Sequence, residues 1–473
     1  MTLALASVLS PLAAGLICMV FPRIAAVLPS LACALTAAAA LPMLAAPDQT
    51  RIFLDTGGIA LTTDPAAAWF MLTNAAVTLA VLLDAWRKKA DGFFFTLLCL
   101  LHGGVNACFL GADLFNLYVV IELTTIVAFL LIAAPLGDRA IWNALRFLFI
   151  SNVGMLFYLI GAILVYESRG SFALAEMVEA PGMAGVLIIT GLAVKGGVFI
   201  PGLWLPLAHG GAEARISALL SGVVVKIGVL PLLRIAALSA PLETTVRGLG
   251  VGGALIGIGF ALFERDLKRM LACSTVSQIG FILAAPVAGP FYAMAHGLAK
   301  AALFLAAGAL PNRDVPSLRQ KGLPPLAALA LALPALSLAG FPPLAGHAAK
   351  TAALGETTGL FLNILKVGSI GTAAVVARWL LLPWRRDAEP VSLPREPTLL
   401  LAGLLLAAGF RPEMFSLADL ISAAGTLGAG VLLHVAGAGR LMKVPLPGRW
   451  ECFEDLVGMT CVTLFALLLL AGR

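Results

Sequence analysis

The chain has 473 residues, of which 60% are hydrophobic and only 12% charged, with a mean hydropathy of +1.00 and a net charge of +6. A water-facing globule keeps roughly a quarter of its residues charged, so this composition excludes an ordinary soluble domain and calls for a bundle of membrane-spanning helices. The basic balance does not point to nucleic acid, because Lys and Arg sit in short clusters between apolar stretches, as they do in cytoplasmic loops.

A spanning helix needs about 20 mostly apolar residues. Runs of that order occur at 2–21, 24–46, 66–86, 92–111, 114–134, 140–166, 183–208, 213–237, 246–264, 271–288, 290–310, 325–352 and 359–382, followed by 397–410, 415–438 and 455–472. The fold expected is all-α, a polytopic membrane bundle of fourteen to sixteen transmembrane helices, with 415–438 either crossing or lying flat at the interface. The first run has no basic residue before it and reads as a retained helix, not a cleaved signal peptide. The polar stretches 47–65, 167–182 and 439–454 are too short to bury a core. Residues Arg51–Thr63 alternate around Gly57-Gly58, which predicts a short β-hairpin outside the membrane.

Orientation follows from the Lys/Arg bias. With the N-terminus outside, the inner loops receive Arg23, Arg87-Lys88-Lys89, Arg139, Arg265/Lys268/Arg269, Arg313/Arg319/Lys321, Arg385/Arg386 and Arg440/Lys443/Arg449. The outer loops receive little more than Arg51, Arg169, Arg247 and Arg411. Seven cysteines (Cys18, Cys33, Cys99, Cys108, Cys273, Cys452, Cys461) show neither CxxC nor Cys/His ligand spacing. An iron–sulfur cluster, a structural zinc and a disulfide framework are therefore not expected. No nucleotide-binding glycine motif lies between a strand and a helix, so no cofactor is expected either.

The informative residues are charges inside apolar runs. Glu122 sits about midway along 114–134, Lys195 within 183–208, and Lys226 about 20 Å along a helix beginning near Glu213, at 1.5 Å per residue. Lys300 lies in 290–310 and Lys350 near the far end of 325–352. Each such charge costs a few kcal/mol or more at the bilayer centre. The ordinary reading of any one is a structural ion pair or a snorkelling side chain, and for Lys300 and Lys350 that reading stands beside the functional one. Glu122, Lys195 and Lys226 are too deep and too many for packing alone. A row of lysines acting on one another titrates as a coupled set, which is what a proton relay requires.

Two runs are interrupted in similar ways. One carries Lys195-Gly196-Gly197, Pro201-Gly202 and Pro206; the other carries Gly340-Phe341-Pro342-Pro343, Gly346, His347 and Lys350. Proline removes an amide donor and clashes with the preceding turn, and freed carbonyls at membrane depth are tolerated only where they line water or protein. Paired interrupted helices in corresponding positions indicate an internal repeat, as in transporters. His209 follows the first break, His296 lies four residues before Lys300, and His347 three before Lys350. The last two pairs share helix faces, and relay and hydrogen-bonded core roles are equally open for all three histidines. Arg146 and Ser151 are candidates to hold Glu122 or Lys195 in its charge state.

These residues carry a resemblance. Asp113-Leu114-Phe115-Asn116-Leu117-Tyr118-Val119 leading to Glu122-Leu123 looks like the glutamate-bearing helix of antiporter-like subunits: the D subunit of Mrp-type cation/proton antiporters, the large pumping subunits of complex I, and their relatives in membrane-bound hydrogenases. Ala193-Val194-Lys195-Gly196, Trp204-Leu205-Pro206 with His209, Ile216 to Lys226, Asp266 to Ser274, His296 to Lys300 and Gly340 to Lys350 extend it in order over about 90–390.

The resemblance implies that Glu122 and Lys195 form a modulating ion pair, that Lys226 is the central relay lysine, and that Lys350 faces the exit half-channel. It also implies two inverted five-helix repeats and two broken helices. The divisions are then 1–91 for three leading helices, 92–240 and 241–384 for the repeats, and 385–473 for the C-terminal helices. Two departures stand out. Ala212-Glu213-Ala214-Arg215 replaces a proline-containing stretch, and Ala348-Ala349 replaces an aromatic residue beside Lys350.

The function expected is an ion-translocating membrane subunit, moving protons and allowing for sodium, in the cell inner membrane and among other integral membrane subunits of a complex I-like NADH:quinone oxidoreductase, hydrogenase or Mrp-type antiporter. The driving force is either redox chemistry in a partner or an opposing ion gradient. The alternatives are a proton-coupled solute-uptake subunit and a structural subunit that kept the fold without the transport. Five retained charges count against the last, because a scaffold has no use for them. A sodium site wants several oxygen ligands and finds only Glu122, Thr124, Thr125 and freed carbonyls, so protons are favoured.

Overall fold

Backbone amides cannot be left unpaired in hydrocarbon, so each apolar run closes its hydrogen bonds internally as a helix. The computed structural model describes every residue except 22, 23, 25, 26, 54–58, 411–415, 442–451, 472 and 473. Arg23, Gly57-Gly58, Arg411, Lys443 and Arg449 lie outside the described residues, as does the side chain of Arg440. The helices run α1 (Thr2–Val20), α2 (Leu28–Met43), α3 (Pro65–Arg87), α4 (Gly92–Leu110), α5 (Leu114–Ala133), α6 (Asp138–Arg169), α7 (Gly182–Gly196), α8 (Trp204–Gly211), α9 (Ala214–Leu219) and α10 (Lys226–Ala236). They continue with α11 (Ala240–Phe263), α12 (Leu267–Ala284), α13 (Gly289–Ala307), α14 (Val315–Lys321), α15 (Pro325–Ala339), α16 (Ala345–Glu356), α17 (Gly359–Leu380), α18 (Arg395–Gly409), α19 (Leu417–Leu441) and α20 (Phe453–Ala471). Among the described residues, ten spans are long and apolar enough to cross a membrane, one of them the interrupted Gly182–Gly211.

Aspartates start many of these helices. Asp91, Asp113, Asp266 and Asp314 each accept a backbone N–H from the first turn, at 2.9, 2.6, 2.8 and 3.0 Å, satisfying donors that have no partner within the helix. The predicted hairpin is present. Strand β1 (Gln49–Phe53) pairs antiparallel with β2 (Ile59–Thr63), in register Gln49 to Thr63.

Side-chain contacts sort the loops into two ends, as the charge bias requires. At one end Arg87 reaches Ser392, Arg265 pairs with Asp314, and Arg313 donates to Gly210 O. At the other, Arg234 pairs with Asp64 and caps the Phe109 and Gly111 carbonyls, while Arg247 and the Val287 and Ala288 amides bind Glu356. The ends are called inner and outer below, after the positive-inside bias.

α19 crosses from one to the other. Asp419 lines an outer cavity with Lys350, whereas His434 receives a hydrogen bond from Arg319 of α14 at 2.9 Å. Those fifteen residues of helix cover about 22 Å at 1.5 Å each. α20 packs on α6 and α7, so the C-terminal segment returns to the first half of the chain. The helix α13 sits at the centre, against α3, α9, α12, α15, α16 and α18.

Both predicted breaks are real. α7 ends on Gly197 (φ +65°), a 3₁₀ turn spans Ile200–Leu203, and α8 follows. α15 ends on Gly340 (φ +87°) and α16 begins at Ala345. The left-handed conformation suits glycine, which has no Cβ to clash. The breaks differ in where the lysine sits. Lys195 precedes its glycine, whereas Lys350 lies beyond the second break.

Candidate functional site

Lys195 is 1% exposed on the last turn of α7. At the break Val194 O accepts the Gly197 amide at 3.2 Å and the Trp204 indole N–H at 2.8 Å. The Lys195 ammonium donates to Thr125 Oγ1 on α5 and lies 5.2 Å over the Phe147 ring. Glu122 is one turn before Thr125 and is the carboxylate that acts on Lys195, but the two are not in contact. With the Asn152 amide of α6 turned so that its nitrogen faces the carboxylate, Glu122 Oε2 accepts from it at 3.2 Å, and Oε1 is buried without a hydrogen-bond partner. The expected Glu122–Lys195 ion pair is thus open in this conformation, with Thr125 occupying the lysine.

Lys226 is fully buried. Residues Leu220–Val224 form a π-helical turn in which Val225 N reaches back to Leu220 O at 3.1 Å. A π turn shifts the hydrogen-bond register by one residue, which leaves the Ser221 carbonyl for the Lys226 ammonium, at 2.9 Å. The same ammonium donates to His296 Nδ1 on α13 at 3.3 Å. Glycines make this approach possible. A Cβ on Gly297 would lie 2.9 Å from Gly222 O and 3.3 Å from Lys226 Cε. On the other side, a Cβ on Gly228 would lie 2.5 Å from Gly196 N, so α10 meets the broken end of α7 backbone to backbone.

One turn beyond His296, Lys300 is also fully buried and donates to Leu271 O (2.8 Å) and to Ser274 Oγ of α12. The interfacial, snorkelling alternative for Lys300 is excluded by that burial. Lys226 and Lys300 are both charged neighbours of His296, whose Nε2 has no protein partner. His209 stacks on Phe304, one further turn along α13, at 4.5 Å; both its ring nitrogens are buried without a hydrogen bond, and Lys268 and Lys300 are its charged neighbours.

The sequence places Lys268 in an inner-loop basic cluster with Arg265 and Arg269. It is 3% exposed on the first turn of α12, donates to Ala212 O, and lines an inner cleft of about 720 Å³. The signal that placed it was available: Asp266 is a helix N-cap, which puts Lys268 inside the helix.

At the outer end, Lys350 is 5% exposed and donates to Leu338 O at 2.9 Å. His347 Nδ1 donates to Gly340 O at 3.0 Å. Both use carbonyls freed by the second break. Lys350, His347, Lys366 and Asp419 line an outer cavity of about 330 Å³. Lys366 and Asp419 were not singled out from the sequence, although each is a charge inside an apolar run, at 359–382 and 415–438, the same signal that marked Lys350.

Lys195, Lys226, Lys300 and Lys350 therefore share a chemistry. Each is held by uncharged acceptors, a hydroxyl, a carbonyl or an imidazole, and none is ion-paired. Such oxygens accept equally from an ammonium and from a neutral amine, so the surroundings do not fix the charge. The eight predicted side chains fall into three groups: Glu122 with Lys195, Lys226 with His296, Lys300 and His209, and Lys350 with His347.

Residues 111–376, more than half of the chain, match the family described as NADH:quinone oxidoreductase/Mrp antiporter, TM. The chain belongs to this family. NADH-quinone oxidoreductase subunit N of Desulforudis audaxviator (strain MP104C) is 33% identical over 281 residues, which cover 53% of this chain and 56% of that protein. The chain spans about half the length of the curated relatives it matches. Two solved structures share the fold. One, described as the membrane-bound sulfane sulfur reductase, an archaeal respiratory membrane complex, gives a TM-score of 0.77 at 22% identity over 92% of this chain and 99% of that one. The other, the Mrp complex from Dietzia sp. DQ12-45-1b, gives 0.76 at 22% identity over 93% and 100%. The chain is thus a multi-pass integral membrane protein of the antiporter-like family.

Within that family, two sequence departures have structural counterparts. Glu213 and Arg215 pair with each other at 2.7 Å, and the guanidinium lies 4.3 Å over Phe94. Beside Ala348-Ala349 the aromatic contact comes from another helix, with the Lys350 ammonium 5.3 Å over Phe281. Arg146 and Ser151 do not take the roles expected of them. Arg146 lies 5.1 Å over Trp142, Ser151 Oγ has no partner, and Asn152 holds Glu122.

Proposed function

We propose that this chain is a proton-translocating subunit of a multi-subunit complex in the cell inner membrane, working beside other integral membrane subunits that supply the driving reaction. The observation that carries the reading is the buried run Lys226–His296–Lys300, held only by uncharged acceptors, between an inner cleft at Lys268 and an outer cavity at Lys350. In this reading a proton enters at the inner cleft and passes His209 to Lys300. It crosses His296 to Lys226 and leaves by Lys350 and His347.

Glu122 and Lys195 set the state of Lys226. With Lys195 on Thr125, Glu122 is left with Asn152; a pivot of one helical turn brings the ammonium onto the carboxylate. The matched breaks at Gly197 and Gly340 support reading 92–240 and 241–384 as inverted repeats. Protons fit better than sodium, because lysine ammonium groups repel a cation and offer it no lone pair. The test is uptake in vesicles holding the native complex, followed with a pH dye and with sodium tracer. Glu122→Gln leaves assembly intact and removes most proton uptake in this account. Full proton uptake by the assembled variant, or uptake of sodium in place of protons, overturns it.

A further inference from the structure

Away from the relay, a groove of about 430 Å³ opens between α13, α15 and α18, with Ala302 as its floor and Leu329, Leu333, Leu399 and Ala402 along its walls. Leu329 and Leu399 are 55% and 73% exposed, so the walls face outward. At its inner end the apolar groove reaches Arg395 and runs into a second cavity of about 440 Å³, which shares Arg395, Leu326 and Leu393 and adds Arg87, Ser392 and Glu396. One end is charged and the rest is hydrocarbon.

The charges at that end are unevenly satisfied. Asp84 is buried and already pairs with both Arg87 and Lys88, at 2.9 Å each, and Arg87 also donates to Ser392 Oγ at 2.9 Å. Arg395 is exposed and has no hydrogen bond or ion pair among the described residues. It is also the first residue of α18, whose N-cap Pro394 supplies no side-chain cap. Glu396, the next residue, already places a carboxylate in that first turn, where it answers the helix dipole, and it leaves Arg395 unpaired. An anion beside Arg395 would satisfy the guanidinium.

We propose that this groove is a binding site for an anionic phospholipid, its phosphate on Arg395, with Arg87 beside it and one acyl chain lying along Leu329, Leu333 and Leu399. The position matches the bilayer. The arginines sit at the inner end among basic loops, where headgroups lie, and the groove extends from them toward the membrane interior. A helix from another subunit would fill the apolar part but leave Arg395 unanswered. Ala302 lies two residues past Lys300, on the opposite face of α13, so the acyl chain supports the relay helix from behind. The proposal rests on the membrane fold and not on the proton path.

The complex is purified in mild detergent, stripped of lipid, and offered phosphatidylglycerol or phosphatidylcholine, and bound lipid is counted by native mass spectrometry. The parent is expected to retain one phosphatidylglycerol at this site with at least a tenfold preference over phosphatidylcholine. Arg395→Gln, a surface change that leaves the fold intact, reduces retention of phosphatidylglycerol to the phosphatidylcholine level. Ala402→Phe, which fills the groove, removes the bound lipid whatever its headgroup. Equal retention of the two lipids by the parent, or undiminished phosphatidylglycerol in Arg395→Gln, overturns the proposal. So does a cross-link from Ala402→Cys to a helix of another subunit.

Discussion

Lys226 Nζ and His296 Nδ1 are 3.3 Å apart, on two helices whose crossing is made of Gly222 and Gly297. That contact joins the central lysine of the first half to the helix bearing Lys300 in the second. It depends on the absence of a side chain, because a Cβ on Gly297 would stand 2.5 Å from Thr73 Cγ2 as well as against Gly222 O.

Gly297→Ala is therefore expected to push α13 away from the π turn and lengthen the Lys226–His296 contact. Proton uptake should fall at least tenfold while the protein remains in the membrane and in its complex. Parental uptake by this variant would show that the close crossing is not needed.

Thr125→Val removes the hydroxyl that holds Lys195 while keeping the side-chain volume. A hydrogen bond to a charged group is worth about 1.5–3 kcal/mol, so the balance between Thr125 and Glu122 shifts by roughly one to two powers of ten. The expected outcome is that Lys195 stays on Glu122 and turnover falls, with Thr125→Ser restoring it. Equal rates for Val and Ser would mean that Lys195 does not exchange partners.

The spans, both breaks and the five charges within apolar runs were legible in the sequence, because a charge or a Gly-Pro cluster inside such a run is costly and so conspicuous. The partners were not. Thr125, Asn152, Ser221 and Ser274 are neutral residues on helices full of similar ones, and only the rotation of neighbouring helices selects them. The π turn at Leu220–Val224 holds one glycine, Gly222, and no proline, which is too common a pattern in a membrane helix to announce it. Lys268 was hidden by its basic neighbours Arg265 and Arg269. His102 escaped notice altogether; it hydrogen-bonds Thr36 and Thr78, at 2.8 and 3.2 Å, in a buried polar network joining α2, α3 and α4.

Arg378 concerns stability and not transport. It is fully buried in α17, and its guanidinium donates to the carbonyls of Ala261, Leu262 and Glu264 at 2.9, 2.9 and 2.6 Å, closing the end of α11. Arg378→Leu leaves those carbonyls without that donor and is expected to destabilise the chain by about 3 kcal/mol. The check is the melting temperature of the detergent-purified protein, followed by loss of the monodisperse peak. An unchanged temperature would remove the capping role.

The relay itself is tested most directly by proton uptake into vesicles energised by the native complex, comparing the parent with Lys226→Arg. Arginine keeps the positive charge beside His296 and can reach Ser221 O, but its guanidinium does not release a proton. The account predicts that Lys226→Arg assembles normally and takes up protons no faster than Lys226→Ala. Uptake at the parental rate would make Lys226 a fixed charge and contradict the relay.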